Sequence, residues 1–531
     1  MFMHMTRKIA HGRLLAAASA IALASLATAT QAATLRIGTA TPATSADPYF
    51  QNATPNNVLA RHIFEPLVVF DEKQVLAPAL AESWRMTDSL TWEFKLRPNL
   101  VFSDGSPLTS EDVVASIERA ANADSPGSVQ ANVKTVVSTE APDPLTVIMK
   151  TATPDMLLPA QLTRVAIISK QFKSAPTTDF NAAKATLGAG PYILTEYVPG
   201  DRAVMKRNDK YWGAKQAWDE VILKATPDDA ARTASLLAGD VDLIEGVSPT
   251  DVERLKGISD VKIVSAPSNR MVYLAPNQGV DTNSLITDKS GKPLEKNPFK
   301  DVRVRQAVSH AINREAIVER VMDGFAMPTA QWLPTGRYGT APGVAPDTYD
   351  PELSKKLLAE AGYPDGFSIT AHASNNRYIN DAKIIQVVAQ MLSRVGIETK
   401  AEALPWATFQ PKANAGEFAI VLGAWGANTG ETSVPMTATL ATRDAARGRG
   451  ASNYAGYSNP VFDKLLGAAQ EELDPDKRNE ALGKAAGFAI SDKALIPLHH
   501  EVSIWAAKAS MDYVPRADQY TLAIGATPSG N

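Results

Sequence analysis

The chain reads as an α/β protein of two lobes joined by a hinge, with an extra subdomain in the first lobe. Three observations lead there. A length of 531 residues exceeds what one hydrophobic core serves, so the chain divides into two or three folding units. Strand-like and helix-like segments alternate through the second half, the pattern of an open sheet flanked by helices. Between the halves, apolar residues recur at helical spacing, first at Val304, Ala307, Val308, Ala311 and Ile312, then at Ile317, Val318 and Val321. Asn313 is placed to cap the second of these helices, and Gly324 followed by Pro328 ends it.

Composition narrows the class. Hydrophobic content of 45% and charged content of 21% are ordinary for a globular protein. The formal charge is −4, and residues 1–32 hold three cations (Arg7, Lys8, Arg13) and no acid, so the remainder is more acidic still. An acidic chain without a Lys/Arg run has no electrostatic reason to bind nucleic acid or an anionic membrane. The same three cations, the apolar stretch 14–26 and Thr30-Gln31-Ala32 have the charge, length and order of a cleavable signal peptide over 1–32, from Met1 or equally Met5. The apolar run is short for a membrane anchor. Cysteine is absent, so there is no disulfide and no lipid-bearing N-terminal Cys. The expectation is a free periplasmic protein, not a lipoprotein.

In chain order, residues 35–38 form a short strand, followed by a polar loop over 39–57 that carries Tyr49, Phe50 and Asn52. His62 is expected at a helix end or on the surface. Trp92, Phe94 and Leu96 alternate with Glu93 and Lys95, a half-buried strand, and Asp104-Gly105 is a turn. Thr109 with Asp112 is close to a capping box for a helix that buries Val113, Val114 and Ile117. Residues 143–150 are a strand. Gly188-Ala189-Gly190-Pro191 is no phosphate cradle, because the spacing is wrong and Pro191 lacks an N–H; it reads as a crossing between subdomains. Asp228 caps a helix ending at Gly239, a strand follows at 241–244, and the chain crosses into the second lobe near 266–274. Residues 281–297 read as a surface loop. Asp350 caps a helix closed by Gly362 and Pro364, and Asp381 caps a longer one that buries Ile384, Ile385, Val388, Met391, Leu392 and Val395 and stops at Gly396. Strands are expected at 367–372, 397–403 and 418–425, and helices through 453–497 with a start at Asp474-Pro475. The expected division is a first lobe over 33–266 with a subdomain about 76–190, a second lobe over 267–495, and a tail over 496–531 that returns to the first lobe.

Several of these segments carry more than periodicity. Asn297, Pro298, Phe299, Asp301, Arg303, Val304, Arg305, Gln306, Ala307, Ala311, Ile312 and Arg314 stand in the order NxPFxDxRVRQAxxxAIxR. The pieces ESW, TWxFxLR, FxDGxPxT and DVxxS appear between residues 82 and 116, GAGPYILTEYVPG with RNDKYW between 188 and 212, and GYSNPVFDKLL with an IPL ending between 456 and 498. Together these resemble family 5 extracellular solute-binding proteins, the peptide-, dipeptide- and oligopeptide-binding components of ABC importers. The resemblance covers nearly all of the chain after the leader. It implies two α/β lobes that close over a ligand, a permease in the inner membrane as partner, and a monomer without enzymatic activity or cofactor.

Ligands of open sheets sit beyond the carboxyl ends of strands, where two loops fall, 374–380 and 426–435. The first holds Arg377 and Tyr378. Arg377 is either a solvated surface cation or, as the resemblance implies, the receiver of a ligand carboxylate through a bidentate bond worth about 1.5–3 kcal/mol. The second follows Trp425 and holds Asn428, Thr429 and Glu431. In the dipeptide-binding relatives an Asp in this loop pairs with the peptide's ammonium; here Asn428 stands in that place, and Glu431 is the candidate substitute. Trp425 serves equally as ligand wall or core, whereas Trp406 and Phe409 are expected in core. Tyr49 and Asn52 enter the candidate set because the early loop lies by the ligand in relatives. His499-His500-Glu501 is set aside as a metal site, since adjacent strand residues face opposite ways and the chain supplies few other soft ligands. The sequence holds no GxSxG, HExxH or Cys nucleophile, which argues against a secreted hydrolase. The expected cargo is a peptide or peptide-like solute. Alternatives are an opine, oligosaccharide, haem or nickel complex on the same fold, or a peptide-binding chaperone or receptor.

Overall fold

A computed structural model describes residues 33–530; the leader expected at 1–32 lies outside the described residues. Strand β1 (Thr34–Thr39) opens the chain with Leu35 and Ile37 fully buried. A short hairpin, β2 (Val68–Phe70) and β3 (Leu76–Pro78), follows the first helix, Thr54–Ile63. Next come β4 (Ala81–Asp88), β5 (Thr91–Leu96), β6 (Val136–Asp143) and β7 (Thr146–Thr151), which form a separate antiparallel sheet in the order β4-β5-β7-β6. Trp92, Phe94 and Leu96 point into its core, as their alternation requires. The helix Ser110–Ala121 packs beside it, its start fixed by the Asp112 carboxylate accepting the Thr109 N–H at 2.8 Å.

The chain then returns under the first helix. A Cβ on Gly188 would lie 2.1 Å from the Ile63 carbonyl oxygen and one on Gly190 2.6 Å from the Ile63 carbonyl carbon, so two backbones touch where side chains cannot fit. Strands β8 (Tyr192–Val198), β9 (Arg202–Arg207), β10 (Glu220–Ala225) and β11 (Leu243–Ile244) join β1, which runs parallel to both β10 and β11.

Strand β12 (Val261–Pro276) is 16 residues long and leads out of this lobe. Beyond it lie β13 (Ile286–Thr287) and β14 (Ala326–Pro328), then β15 (Phe367–Ser374), β16 (Ile397–Leu404) and β17 (Ile420–Gly426). The helices of this lobe include Val302–Ala311 and Arg314–Arg320, the second capped by the Asn313 side chain, which accepts the Ala316 N–H. Strand β18 (Ile496–Lys508) runs back into the first lobe, and the hairpin of β19 (Met511–Tyr513) and β20 (Ala526–Pro528) closes the chain.

One sheet of 12 strands runs through both lobes, in the order β13-β15-β17-β12-β18-β11-β1-β10-β9-β8, with β14 on β18 and β16 on β15. Its crossing is made by β12 and β18, paired antiparallel from Val261↔Lys508 to Leu274↔Ile496 with a register shift between Pro267 and Met271. Trp505 and Ala507 belong to the apolar cluster of the first lobe, and Ile504 and Ala506 to a smaller cluster with Leu236 and Val241. Val272, Leu274, Ile496 and Leu498 pack with Phe299 and Phe367, while Met271 and Tyr273 pack with Phe409 and Phe462.

Two expectations change. Residues 281–297 are not all loop, because Ile286 is buried and pairs with Ile369 of β15. His62 stands at its helix end but is 1% exposed. Its Nδ1 lies 2.7 Å from the Val58 carbonyl, and its Nε2 accepts the Ala523 N–H at 3.0 Å, fastening the C-terminal segment to the first helix.

Candidate functional site

Strands β15, β16 and β17 are parallel neighbours, so their carboxyl ends lie along one edge of the second lobe. That edge carries the loop 375–380 after β15, Trp406 after β16 and the loop 427–432 after β17. The antiparallel β12 and β18 bring Arg270 and Glu501 to the same edge, with Arg270 opposite Gly426 and Met271 opposite His500.

Asp381 shapes the Arg377 loop. Sequence suggests it as a helix cap, yet the cap position falls to Asn380, in the left-handed region at φ 55°, and Asp381 turns inward. Its Oδ2 accepts the Ser374 hydroxyl at 2.6 Å and the N–H groups of Arg377 and Tyr378, each at 3.2 Å. Arg377 is exposed, and among the described residues no carboxylate pairs with its guanidinium. It stands 5.5 Å from the Trp406 ring and 5.6 Å from the Tyr378 ring. These two rings meet edge to face at 6.0 Å, which holds the cation by its stacking faces and leaves its N–H fork free. The Tyr378 hydroxyl reaches the Ala424 carbonyl at 3.4 Å, tying this loop to β17, and burial pushes its pKa up to about 12. Trp406 is half-buried at the site edge, while Phe409 is buried in the core as expected.

On the neighbouring loop Trp425 is half-buried against the core and Asn428 is exposed. The Asn428 Oδ1 accepts from the Asn269 carboxamide at 3.2 Å, so it is turned toward the crossing strand. Thr429 lines a cavity of about 400 Å³ between the lobes, and its Oγ1 is buried without a hydrogen-bond partner. Phe70, Val75, Met156 and Leu157 form the opposite wall, and Tyr338 and Arg478 lie on the Thr429 side.

Glu431 also lines this cavity, but not as a free carboxylate. Arg478 grips it twice, at 2.8 and 3.3 Å, and Ser433 adds a hydroxyl bond; both side chains are almost fully buried. The substitute sought for an ammonium partner is already neutralised, because a buried carboxylate needs its own cation. Tyr49 is likewise committed: its ring is 2% exposed in the first lobe's core and its hydroxyl donates to the Ala166 carbonyl at 2.7 Å. Asn52 is exposed, and its carboxamide donates to Asn132 and accepts from Asn57, both at 2.9 Å. Asn132 in turn reaches the Gln161 carbonyl at 3.3 Å, on the helix Leu158–Leu162 whose Ala160 lines the interlobe cavity.

Sequence reasoning missed the contribution of the first lobe's hairpin. Gln74 at its tip is buried, sits in the left-handed region at φ 60°, and donates from Nε2 to the Ala427 carbonyl of the other lobe at 2.8 Å. Arg337 donates back to the Lys73 and Gln74 carbonyls at 2.6 and 3.2 Å. Glu501 was also missed as a site residue. It is buried, pairs with Arg270 at 3.2 Å and accepts the Ile379 N–H at 3.3 Å, bracing the Arg377 loop from the crossing strand. His499 and His500 are buried, and among the described residues no group of three or more His, Cys, Asp or Glu side chains is placed to hold a metal ion.

Two α/β lobes on a shared pair of crossing strands, with polar residues around a cavity between them, define a two-lobed binding fold. The chain belongs to family 5 of the bacterial extracellular solute-binding proteins, whose middle-region model matches residues 75–447. It is 28% identical over 453 residues to the dipeptide-binding protein of Escherichia coli K12, covering 80% of this chain and 81% of that one. It is 26% identical over 482 residues to heme-binding protein A of Haemophilus influenzae, covering 85% and 83%. Its fold matches the ABC transporter-associated periplasmic binding protein DppA of Helicobacter pylori in complex with the peptide STSA, with a TM-score of 0.71, 22% identity and coverage of 93% and 98%. It matches the agropinic acid complex of AgaA from A. tumefaciens R10 with a TM-score of 0.71, 23% identity and coverage of 94% and 99%. The chain is therefore a solute-binding protein of this family and not an enzyme.

Proposed function

We propose that this protein is exported through its leader to the periplasm, captures a peptide or peptide-like solute between its lobes, and delivers it to the permease of an inner-membrane ABC importer. The observation that carries the reading is Arg377: a cation without a carboxylate partner among the described residues, stacked by Tyr378 and Trp406 at the carboxyl ends of parallel strands. A solute carboxylate docked there completes the charge pair, while main-chain groups of the loops 375–380 and 426–431 supply side-chain-independent hydrogen bonds. The lobes are taken as 33–266 with 496–531 and 267–495, turning about the register shift after Pro267.

A second reading, a non-peptide solute on the same fold, is favoured by Asn428 and by the commitment of Glu431 to Arg478, which leave an α-ammonium without its expected partner. Agropinic acid in AgaA is the kind of solute meant. Native mass spectrometry of the protein purified gently from periplasm tests both. A ladder of short peptide masses supports peptide capture; one discrete non-peptide mass keeps the transport role and replaces the cargo.

A further inference from the structure

Given a peptide-like solute bound between the lobes, as proposed above, the charges around that space narrow its chemical class. The acids on the segments bounding that space are few, and nearly all are committed. Asp381 is buried and accepts one hydroxyl and three backbone N–H groups, from Ser374, Arg377, Tyr378 and Ala382. Glu431 is held by Arg478, and Glu501 by Arg270 and the Ile379 N–H. Asp155 takes the Thr135 hydroxyl at 2.6 Å and the Leu157 N–H at 2.9 Å. Asp71 closes its own hairpin turn through the N–H groups of Lys73 and Val75, and Asp518 pairs with Arg516 at 2.6 Å. Glu72, exposed at the hairpin tip, and Asp476, exposed on the segment beside Tyr338, are left to solvent.

The cations are not balanced in the same way. Among the described residues no carboxylate pairs with Arg377, and the Arg337 guanidinium bonds to the carbonyls of Lys73 and Gln74. The ring faces that would otherwise receive an ammonium, Tyr378 and Trp406, already carry the Arg377 guanidinium, which repels a second cation. An ammonium enclosed here would lose its water and gain no counter-charge, whereas a carboxylate would find an unpaired guanidinium.

We infer that the solute is an anion without an ammonium group: a peptide-like acid whose amine is acylated or absent. Arg377 selects its carboxylate, and the closed Glu431–Arg478 pair denies a site to an amine.

The test is calorimetric titration of the protein, dialysed free of small molecules, with two tripeptide libraries that are identical except that one is N-acetylated. Tighter binding of the acetylated library by about tenfold or more, lost in Arg377→Gln, is the expected result. Equal or tighter binding of the free-amine library overturns the inference and leaves peptide capture standing. Binding of neither library overturns peptide capture and this refinement together. An acetylated preference that survives in Arg377→Gln removes Arg377 from its role and overturns the assignment of the anion site.

Discussion

An arginine stacked on two aromatic rings is held in place without being neutralised, and that distinguishes Arg377 from Arg270 and Arg478, which pair with Glu501 and Glu431. Arg377→Ala is expected to weaken an anionic solute by about 2–5 kcal/mol, the cost of leaving an enclosed carboxylate unpaired. Arg377→Lys should fall between, since it keeps charge but loses the planar fork. Calorimetry that finds the alanine variant unchanged would remove Arg377 from the site. The buried histidines make a different prediction. Burial holds His499 down to about 3 and His500 to about 4, whereas an unfolded histidine takes its proton near 6.5. Between those values the unfolded chain binds more protons, so their contribution to stability is present above pH 6.5 and is lost as pH falls toward 4. The buried carboxyls of Glu65, Glu245 and Asp155, pushed up mainly by desolvation, act in the opposite direction, so one histidine must be read by difference. His499→Leu should lose less stability than the parent between pH 7 and pH 5, by about 2 kcal/mol, in paired thermal unfolding curves. Equal losses would mean that His499 is not held neutral in the fold. At this scale the sequence was legible for placement, since Arg377 stands in the loop just past a strand end, as its spacing indicates. It was not legible where a partner lies far away in the chain: Arg478 for Glu431, the Ala166 carbonyl for Tyr49, and Ala523 for His62.

The hairpin of β2 and β3 shows how an element acts beyond its own lobe. Its tip is rigid because Asp71 caps the turn, and it is anchored behind by Arg516, which donates to the Phe70 and Asp71 carbonyls at 2.9 and 3.2 Å. Held this way, Gln74 reaches the carbonyl immediately before Asn428 and fixes that loop from the opposite side. Gln74→Ala removes one interlobe hydrogen bond, worth about 0.5–1.5 kcal/mol, and should shift the lobes toward a more open average. Small-angle scattering would register a larger radius of gyration without solute, and solute affinity would fall by up to about tenfold. An unchanged radius and affinity would show that the contact does not restrain the lobes. Residues 71–75 (DEKQV) are mostly polar, and nothing local distinguishes a turn that faces water from one that faces another lobe. Helices were easier to read, because caps are local: Asn313, Asp350 and Asp474 each accept the backbone N–H groups that their spacing demands.

Across the whole molecule, β12 and β18 feed all four apolar clusters. Two lobes with separate cores would melt separately, but these share the strands on which each core is built. Scanning calorimetry is therefore expected to give one cooperative transition, and two well-separated transitions would contradict the coupling. Alternation of strand and helix was enough to read the two-lobed α/β class. It was not enough to see one sheet passing through both lobes, because strand order depends on pairings hundreds of residues apart. The position of β18 also sets the order of events in time. It lies between β12 and β11, so the strands of the first lobe join the rest of the sheet only through it. β18 follows every other strand of this sheet in chain order, so a ribosome delivers it after them. Until then the edges of β11 and β12 stand unpaired, open to solvent or to another chain. A chain stopped before Ile496 should collect in the insoluble fraction, and the sheet should form as a whole only once β18 has been made. A sheet closed by its latest strand leaves the polypeptide before it threadable until that strand arrives.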